Sequence, residues 1–354
     1  MTFRTEQIGD CTLILGDCLE VMPTLGKVDC VVTDPPYFKV KGDAWDRQWD
    51  KPEEFLKWLG VVLDNCSSIM EDWASIYCFA SPQMEWFVQG LIRERFVFLN
   101  SIRWRKPQGW HMKQNTDDLR IFQQNWEACL LAQKSDDSEA LKSSGYDTAC
   151  KALHRKVYQP IGDYFKNERL AAGVSYRDIS NYIDRDPALY LRWEEGSSFP
   201  NKEDYKKCQK ILNEHLRKDY EDLRKDYEDL RKDYEELRRP FNVYDDRMRG
   251  DIWEYNCVNG YEGKHPCEKP VSIIEHIIGT SSKAAQTILD PFMGSGTTLV
   301  ACAKLGRSGI GIELEEKYFD IAVKRVTGAY EQPDMFIERP KEQKTDDMFT
   351  EAQK

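Results

Sequence analysis

Four consecutive residues, Asp34-Pro35-Pro36-Tyr37, follow the β-branched run 28–33. In an open α/β sheet this is the carboxyl end of a buried strand, where such sheets gather their ligands. Two prolines cannot continue a hydrogen-bonded ladder and hold the backbone stiff, so the flanking carboxylate and phenol are presented in a fixed geometry. An ordinary strand-ending turn also tolerates Asp-Pro. By itself the tetrapeptide therefore specifies a rigid strand end carrying two polar groups.

A second set lies far along the chain. Asp290-Pro291-Phe292-Met293-Gly294-Ser295-Gly296-Thr297-Thr298 separates the apolar run 287–289 from the helical pattern 297–305. Its glycines let the backbone pass close to a ligand. Glu313, 19 positions after Gly294, ends the next strand, placed to accept hydrogen bonds from a ribose. No lysine follows the second glycine, so the loop is not a phosphate-cradling P-loop.

The elements that must position these residues alternate. Apolar runs at 11–15, 28–33, 74–80, 97–104, 127–132, 287–289 and 309–313 read as strands. Segments of helical period cover 52–70, 83–93, 271–279, 297–305 and 315–326. The alternation predicts an α/β fold with a doubly wound, mostly parallel sheet. Residues 1–133 form one half of this domain and 256–331 the other. The polar, strand-poor stretch 134–255 is expected to be an inserted helical region, and 332–354 a charged tail. Within the insert, 161–212 carries the turns and caps of a helix-turn-helix, with Asp186-Pro187 opening a helix that ends at Trp193-Glu194-Glu195-Gly196. From about 213 to 239 the heptad Leu-Arg-Lys-Asp-Tyr-Glu-Asp recurs almost unchanged, with Leu216, Tyr220, Leu223, Tyr227, Leu230, Tyr234 and Leu237 spaced alternately by four and three. Such a seam suits either a self-pairing coiled coil, hence a homodimer, or a rigid spacer.

Eleven cysteines are scattered without the close spacing of a zinc site, which predicts reduced, buried thiols and no metal centre. No run approaches the ~18 apolar residues of a membrane helix. The N-terminal residues lack a signal-peptide pattern, so a soluble, cytoplasmic protein without membrane association is expected. The net charge of -11 argues against a generally basic nucleic-acid binder. A local basic segment is nonetheless present: Arg103, Arg105, Lys106, His111 and Lys113 interleave with Trp104 and Trp110.

Asp34 to Tyr37, the loop 290–298, His265-Pro266-Cys267-Glu268-Lys269-Pro270 and Ile310-Gly311-Ile312-Glu313-Leu314 together resemble the amino-methylating DNA methyltransferases. The order is that of the β type, with the catalytic motif ahead of the cofactor loop. The resemblance covers about residues 8–133 and 251–328, and it implies a Rossmann-like methyltransferase fold using S-adenosylmethionine. It assigns catalysis to Asp34, Pro35, Pro36 and Tyr37. Gly294, Ser295 and Gly296 would wrap the methionine part of the cofactor beside Thr297 and Thr298, with Asp290 and Phe292 at its edge. Glu313 would hold the ribose hydroxyls, Asp17 with Cys18 the adenine, and Lys269 the methionine carboxylate, while Asp34 also borders the cofactor. The implied target is the exocyclic N6 of a flipped-out adenine in double-stranded DNA. Cytosine N4 is the alternative, and aspartate at position 34 favours adenine; a DNA-binding regulator with a vestigial fold is the reading from another class. The insert resembles a repressor-type helix-turn-helix, apart from 182–185. On that likeness Tyr190 and Arg192 would face a major groove; otherwise the module only packs. A cognate restriction enzyme is the companion that such enzymes bring to mind.

Overall fold

The computed structural model describes residues 3–38, 46–106, 120, 122, 124–135, 146–213, 215–238, 240–244, 249–259 and 265–331. The strands are β1 (Arg4–Ile8), β2 (Cys11–Leu15), β3 (Val28–Thr33), β4 (Met70–Ala80), β5 (Val97–Arg105), β6 (Trp126–Gln133), β7 (Ile252–Glu254), β8 (Thr287–Asp290) and β9 (Ser308–Glu313). The helices are α1 (Cys18–Val21), α2 (Pro52–Ile69), α3 (Glu85–Arg93), α4 (Tyr146–Ala172), α5 (Tyr176–Tyr182), α6 (Leu189–Glu194), α7 (Lys202–Ile211), α8 (Tyr220–Leu237), α9 (Val271–Ser281), α10 (Thr297–Leu305) and α11 (Glu316–Glu331). They fall into two compact units, residues 1–142 with 239–354, and residues 143–238.

The first unit is a nine-stranded sheet in the order β1-β2-β9-β8-β3-β4-β6-β5-β7. Only β1 and β6 run antiparallel to their neighbours. Strand alternation splits the core into two layers. On β4, Ile76, Cys78 and Ala80 join Phe55, Leu59 and Leu63 of α2 on one face. Tyr77 and Phe79 join Ile273 of α9, Leu299 of α10 and Phe319 of α11 on the other. Side chains of successive residues point to opposite faces, so a strand covered on both reads as a continuous apolar run, as 30–32 of β3 and 76–80 of β4 do. The expected α/β class with a mostly parallel sheet is observed. Two strands were not expected: β1, half polar, and β7, which pairs with β5 through Arg103, Trp104 and Arg105. Because β7 belongs to the sheet, the separate helical unit ends at residue 238 rather than 255, and it begins at 143 rather than 134.

That second unit packs α4 to α8 around Phe165, Ile179, Tyr190, Trp193, Tyr205 and Leu223. Two expectations change here. Tyr190 is 0% exposed, and its hydroxyl donates to the carbonyl of Phe165 at 3.2 Å, so it lies in the core and cannot face a DNA groove. Three positions along the same helix, Trp193 is buried beside it, whereas Arg192 is exposed and 3.7 Å from Asp186. The heptad seam is also used internally: Tyr227 stacks on Phe199 at 4.7 Å, and Tyr158 lies 5.2 Å from Tyr227 and 5.9 Å from Tyr234. Only part of the stripe is buried this way: Leu223 is fully buried, Tyr227, Leu230 and Tyr234 are half-buried, and Leu237 is 41% exposed.

Among the described cysteines none is in a disulfide, and most are buried. No described helix is long and apolar enough to cross a membrane.

Candidate functional site

Three neighbouring parallel strands end in acids at the same edge of the sheet: Glu313 on β9, Asp290 on β8, and Asp34 immediately after β3. Together with the loop 290–298 and the 265–269 segment they line one cleft of about 1190 Å³, open mouth included. Asp17, Cys18, Pro35, Pro36, Tyr37, Lys269, Phe292, Gly294, Ser295, Thr297 and Thr298 line it too. The sequence-predicted catalytic and cofactor sets, remote in the chain, thus meet in a single cleft. Gly296 is the exception: it turns the loop behind the wall.

The glycine loop needs both of its left-handed residues. Gly294 has φ +54°, and an added Cβ there would stand 3.7 Å from the His265 ring. Gly296 has φ +79°, and an added Cβ would meet Ala322 at 2.9 Å, closer than real Cβ atoms approach. The loop is clamped from outside. Ser295 Oγ donates to Glu268 at 2.7 Å, and Arg325 donates to the Ser295 carbonyl at 2.7 Å while pairing with Glu268 at 3.2 Å. Gly294 N–H in turn donates to Glu313 Oε2 at 2.9 Å, tying the loop to the acid that ends β9. Burial raises the pKa of Glu313.

Asp17 caps α1, accepting from the Leu19 N–H at 2.8 Å. Asp290 accepts from Phe292 N–H at 3.1 Å and from Thr298 Oγ1. Burial pushes its carboxyl up to about 7, against those two hydrogen bonds. Since the folded value lies above the unfolded one, its contribution to stability is full below the ordinary value of 3.8 and is lost as pH rises through about 7. Asp290→Asn preserves an acceptor for Phe292 and a group that can bond Thr298, without the charge. Melting curves from about pH 5 to about pH 8 should therefore show the variant gaining on the native protein as pH rises. A constant difference in melting temperature would mean that Asp290 is already ionised throughout.

Around Asp34 the groups are fixed by a dense network. Tyr37 N–H donates to the buried Asp46 at 2.6 Å, and the next residue, Phe38, has φ 59°. The Tyr37 hydroxyl donates to Asp34 Oδ1 at 2.7 Å, and Lys269 Nζ donates to Asp34 Oδ2 at 2.6 Å. Lys269 was expected near a cofactor carboxylate; in this structure its ammonium lies on Asp34, with Tyr37 Oη at 3.0 Å. Burial raises Asp34 while the Lys269 ammonium opposes it. Burial works to lower Lys269, but Asp34 and Glu127 outweigh it and keep the amine protonated.

Glu127 is a group that sequence reasoning treated only as the start of a strand. Because β6 runs antiparallel, with Ala128 opposite Ala80, its first residues arrive at the edge where β3 and β4 end. Glu127 Oε2 lies 3.2 Å from the Tyr37 hydroxyl and 3.4 Å from Lys269 Nζ, and Lys106 pairs with its other oxygen. Burial works to raise Glu127, yet Lys269 and Lys106 hold it at about 2.

The basic segment is largely committed to acids. Arg103 pairs with Glu85 and lies over Trp126, Arg105 pairs with Glu254 at 2.8 Å, and Lys106 turns inward to Glu127. His111 and Lys113 lie outside the described residues. No metal-ligating cluster occurs among the described residues.

Comparison with known proteins places these features. The model of the N6_N4_Mtase family, described as DNA methylase, matches residues 28–324. The Type II methyltransferase M2.DpnII of Streptococcus pneumoniae is 45% identical over 85 residues, which is 23% of this chain and 32% of that protein. This chain thus matches only about a third of that relative's length. The DNA adenine methyltransferase YhdJ of Escherichia coli K12 is 24% identical over 341 residues, 94% of this chain and 88% of that protein. The solved structure of the cytosine-N4-specific PvuII DNA methyltransferase aligns over 92% of this chain and 93% of its own, with TM-score 0.53 and 10% identity, a likeness of fold.

Proposed function

The chain belongs to the DNA methylase family, and from that premise we propose that it transfers a methyl group from S-adenosylmethionine to the N6 amino group of adenine in double-stranded DNA. The observation that carries this reading is the single cleft shared by Asp34-Pro35-Pro36-Tyr37, the glycine loop and Glu313.

The lining suits the cofactor. Of the acids lining the cleft, Asp34 pairs with Lys269 and Glu268 with Arg325, which leaves Asp17, Glu313 and Glu315 to favour a cation such as a sulfonium. Glu313 would accept from the ribose hydroxyls, Phe292 and Asp17 would flank the adenine side, and the loop 294–298 would follow the methionine. When bound, the cofactor supplies an activated methyl group, so the protein must supply alignment and a better nucleophile.

An exocyclic amine on an aromatic ring is a poor nucleophile because its lone pair is delocalised. The Asp34 carboxylate and the Pro35 carbonyl would accept hydrogen bonds from the two amino protons, returning electron density to nitrogen and aiming its lone pair at the methyl group; as the nitrogen–methyl bond forms the sulfur–methyl bond would break, and the surplus amino proton would leave by way of the Asp34 carboxylate. The target base would leave the duplex, since its edge is otherwise out of reach, and stack on Tyr37. That ring is held by the hydroxyl bond to Asp34 and the backbone bond to Asp46. Arg103, Arg105 and Arg192, each still partly exposed, are the cations of the expected DNA set that would follow phosphates. The helical unit 143–238 would contribute target recognition as a helix-turn-helix, through exposed residues other than Tyr190. Relatives named as type II methyltransferases support a cognate restriction enzyme as companion, working in the cytoplasm.

Expression in a host lacking DNA methylation, followed by mapping of modified bases, tests the reading. N6-methyladenine at a defined sequence is the expected result. N4-methylcytosine would transfer the same chemistry to the other base, and unmodified DNA with cofactor bound would replace the enzyme by a DNA-binding regulator.

A further inference from the structure

Beside Asp34, the structure holds an ion cluster for which the transfer step above has no use. Lys269 is 7% exposed, and its ammonium lies 2.6 Å from Asp34 and 3.4 Å from Glu127. Lys106 closes the cluster on the far side of Glu127. Two carboxylates and two ammoniums are thereby gathered at the point where a substrate amino group must reach Asp34.

In this arrangement both oxygens of Asp34 already hold a donor, Tyr37 on Oδ1 and Lys269 on Oδ2. Each oxygen keeps a second lone pair, but an ammonium on Oδ2 draws off the electron density that polarising an amine requires, so a base amino group arriving at Asp34 competes with Lys269 for it. Displacing the ammonium is costly unless it has somewhere to go, because a buried charge that loses its partner is left without compensation for its lost hydration. Glu127 Oε2 is that destination, within a short swing of Nζ and held ionised by Lys106 on its other oxygen. The Tyr37 hydroxyl, 2.7 Å from Asp34 and 3.2 Å from Glu127, can follow by rotating its proton between the same two acids.

We propose that Glu127 is a positioning residue for methyl transfer: it receives the Lys269 ammonium when the substrate amino group replaces it on Asp34. The inference rests on the reading of Asp34 as the acceptor of that amino group. Glu127 touches no reacting atom. It acts through Lys269, so that Asp34 can exchange one hydrogen-bond donor for another without stranding a charge.

Two measurements test this, one independent of activity. In a crystal structure of the Asp34→Asn protein without DNA, where position 34 no longer carries charge, the ammonium is expected on Glu127 at about 2.8 Å. Finding it still on residue 34, with Glu127 no closer, overturns the proposal whether or not the native protein methylates DNA. The second measurement is single-turnover transfer by Glu127→Gln, which keeps shape and removes charge. Its rate should fall about 10-fold to 100-fold with cofactor affinity unchanged. The acid limb of its pH–rate profile should move to lower pH, because a negative neighbour of Asp34 has gone. Combined with Lys269→Met, the Gln substitution should cost little more, since the group it acts through is absent. Strict additivity of the two, or an unmoved pH profile, would reduce Glu127 to a structural residue and sink the proposal. Absence of methylation by the native protein on any DNA would instead remove the reading of the reaction, while the crystallographic arm still judges the ammonium's swing.

Discussion

Asp34→Ala should lower methyl transfer at least about a thousandfold, a loss of roughly 4 kcal/mol in transition-state stabilisation, while changing cofactor affinity less than about threefold. The asymmetry follows from where Asp34 lies. Its carboxylate closes β3 and faces Tyr37 and Lys269, whereas the loop 290–298 and Glu313 are held by their own contacts to Glu268, Arg325 and Gly294. Truncation leaves Lys269 with Glu127, so the cluster keeps a counter-ion and the fold should survive; a melting curve verifies this. Asp34→Asn separates the two parts of the role. The amide retains an acceptor but not the charge, and its loss should be smaller by about tenfold. Burial raises the pKa of Asp34, and it is the ionised form that polarises the amine. Activity should therefore fall as pH drops through a midpoint above the ordinary carboxylate value. Parallel loss of cofactor affinity and of transfer in Asp34→Ala would show that the residue belongs to the cofactor pocket instead.

The parts legible in the sequence are those where local pattern and position coincide. The run 28–33 followed by two prolines marks a buried strand and its end, and the structure puts Asp34 there with its neighbours Asp290 and Glu313 on adjacent strands. Glu127 and Lys106 were not legible as part of the cluster, because their meeting depends on β6 running antiparallel between β4 and β5, and periodicity carries no strand order. β7, three residues long, is too short for any period to register. Tyr190 was misplaced for a related reason. Helical spacing says that Tyr190 and Trp193 share a face, but not whether that face meets a core or a groove; packing against Phe165 and Tyr205 decided it. The heptads pose the same question, and Phe199 and Tyr158 answer it from within the unit for Tyr227, while Leu237 stays exposed.

Glu313→Ala should raise the dissociation constant for S-adenosylmethionine by about a hundredfold to a thousandfold, with transfer at saturating cofactor close to native. The estimate is two charge-assisted hydrogen bonds of about 1.5–3 kcal/mol each, reduced because water re-enters the cleft. Glu313 has the capacity for both hydroxyls. Gly294 N–H occupies one lone pair of Oε2, Glu315 N–H at 2.8 Å occupies one of Oε1, and a carboxylate oxygen has a second. Those two backbone bonds also mean that alanine loosens the loop, so a fall in affinity alone does not identify the ribose as partner. A cofactor lacking the ribose 2′-hydroxyl resolves the ambiguity. The native protein should bind it tenfold or more weakly than the parent cofactor, whereas Glu313→Ala should scarcely distinguish them, because the acceptor is gone. Burial raises the Glu313 carboxyl, so native affinity should also decline as pH falls through that raised value, and the decline should vanish in the alanine variant. An alanine variant that still prefers the intact ribose by the native margin would assign the hydroxyls to another residue and leave Glu313 as an anchor for the glycine loop.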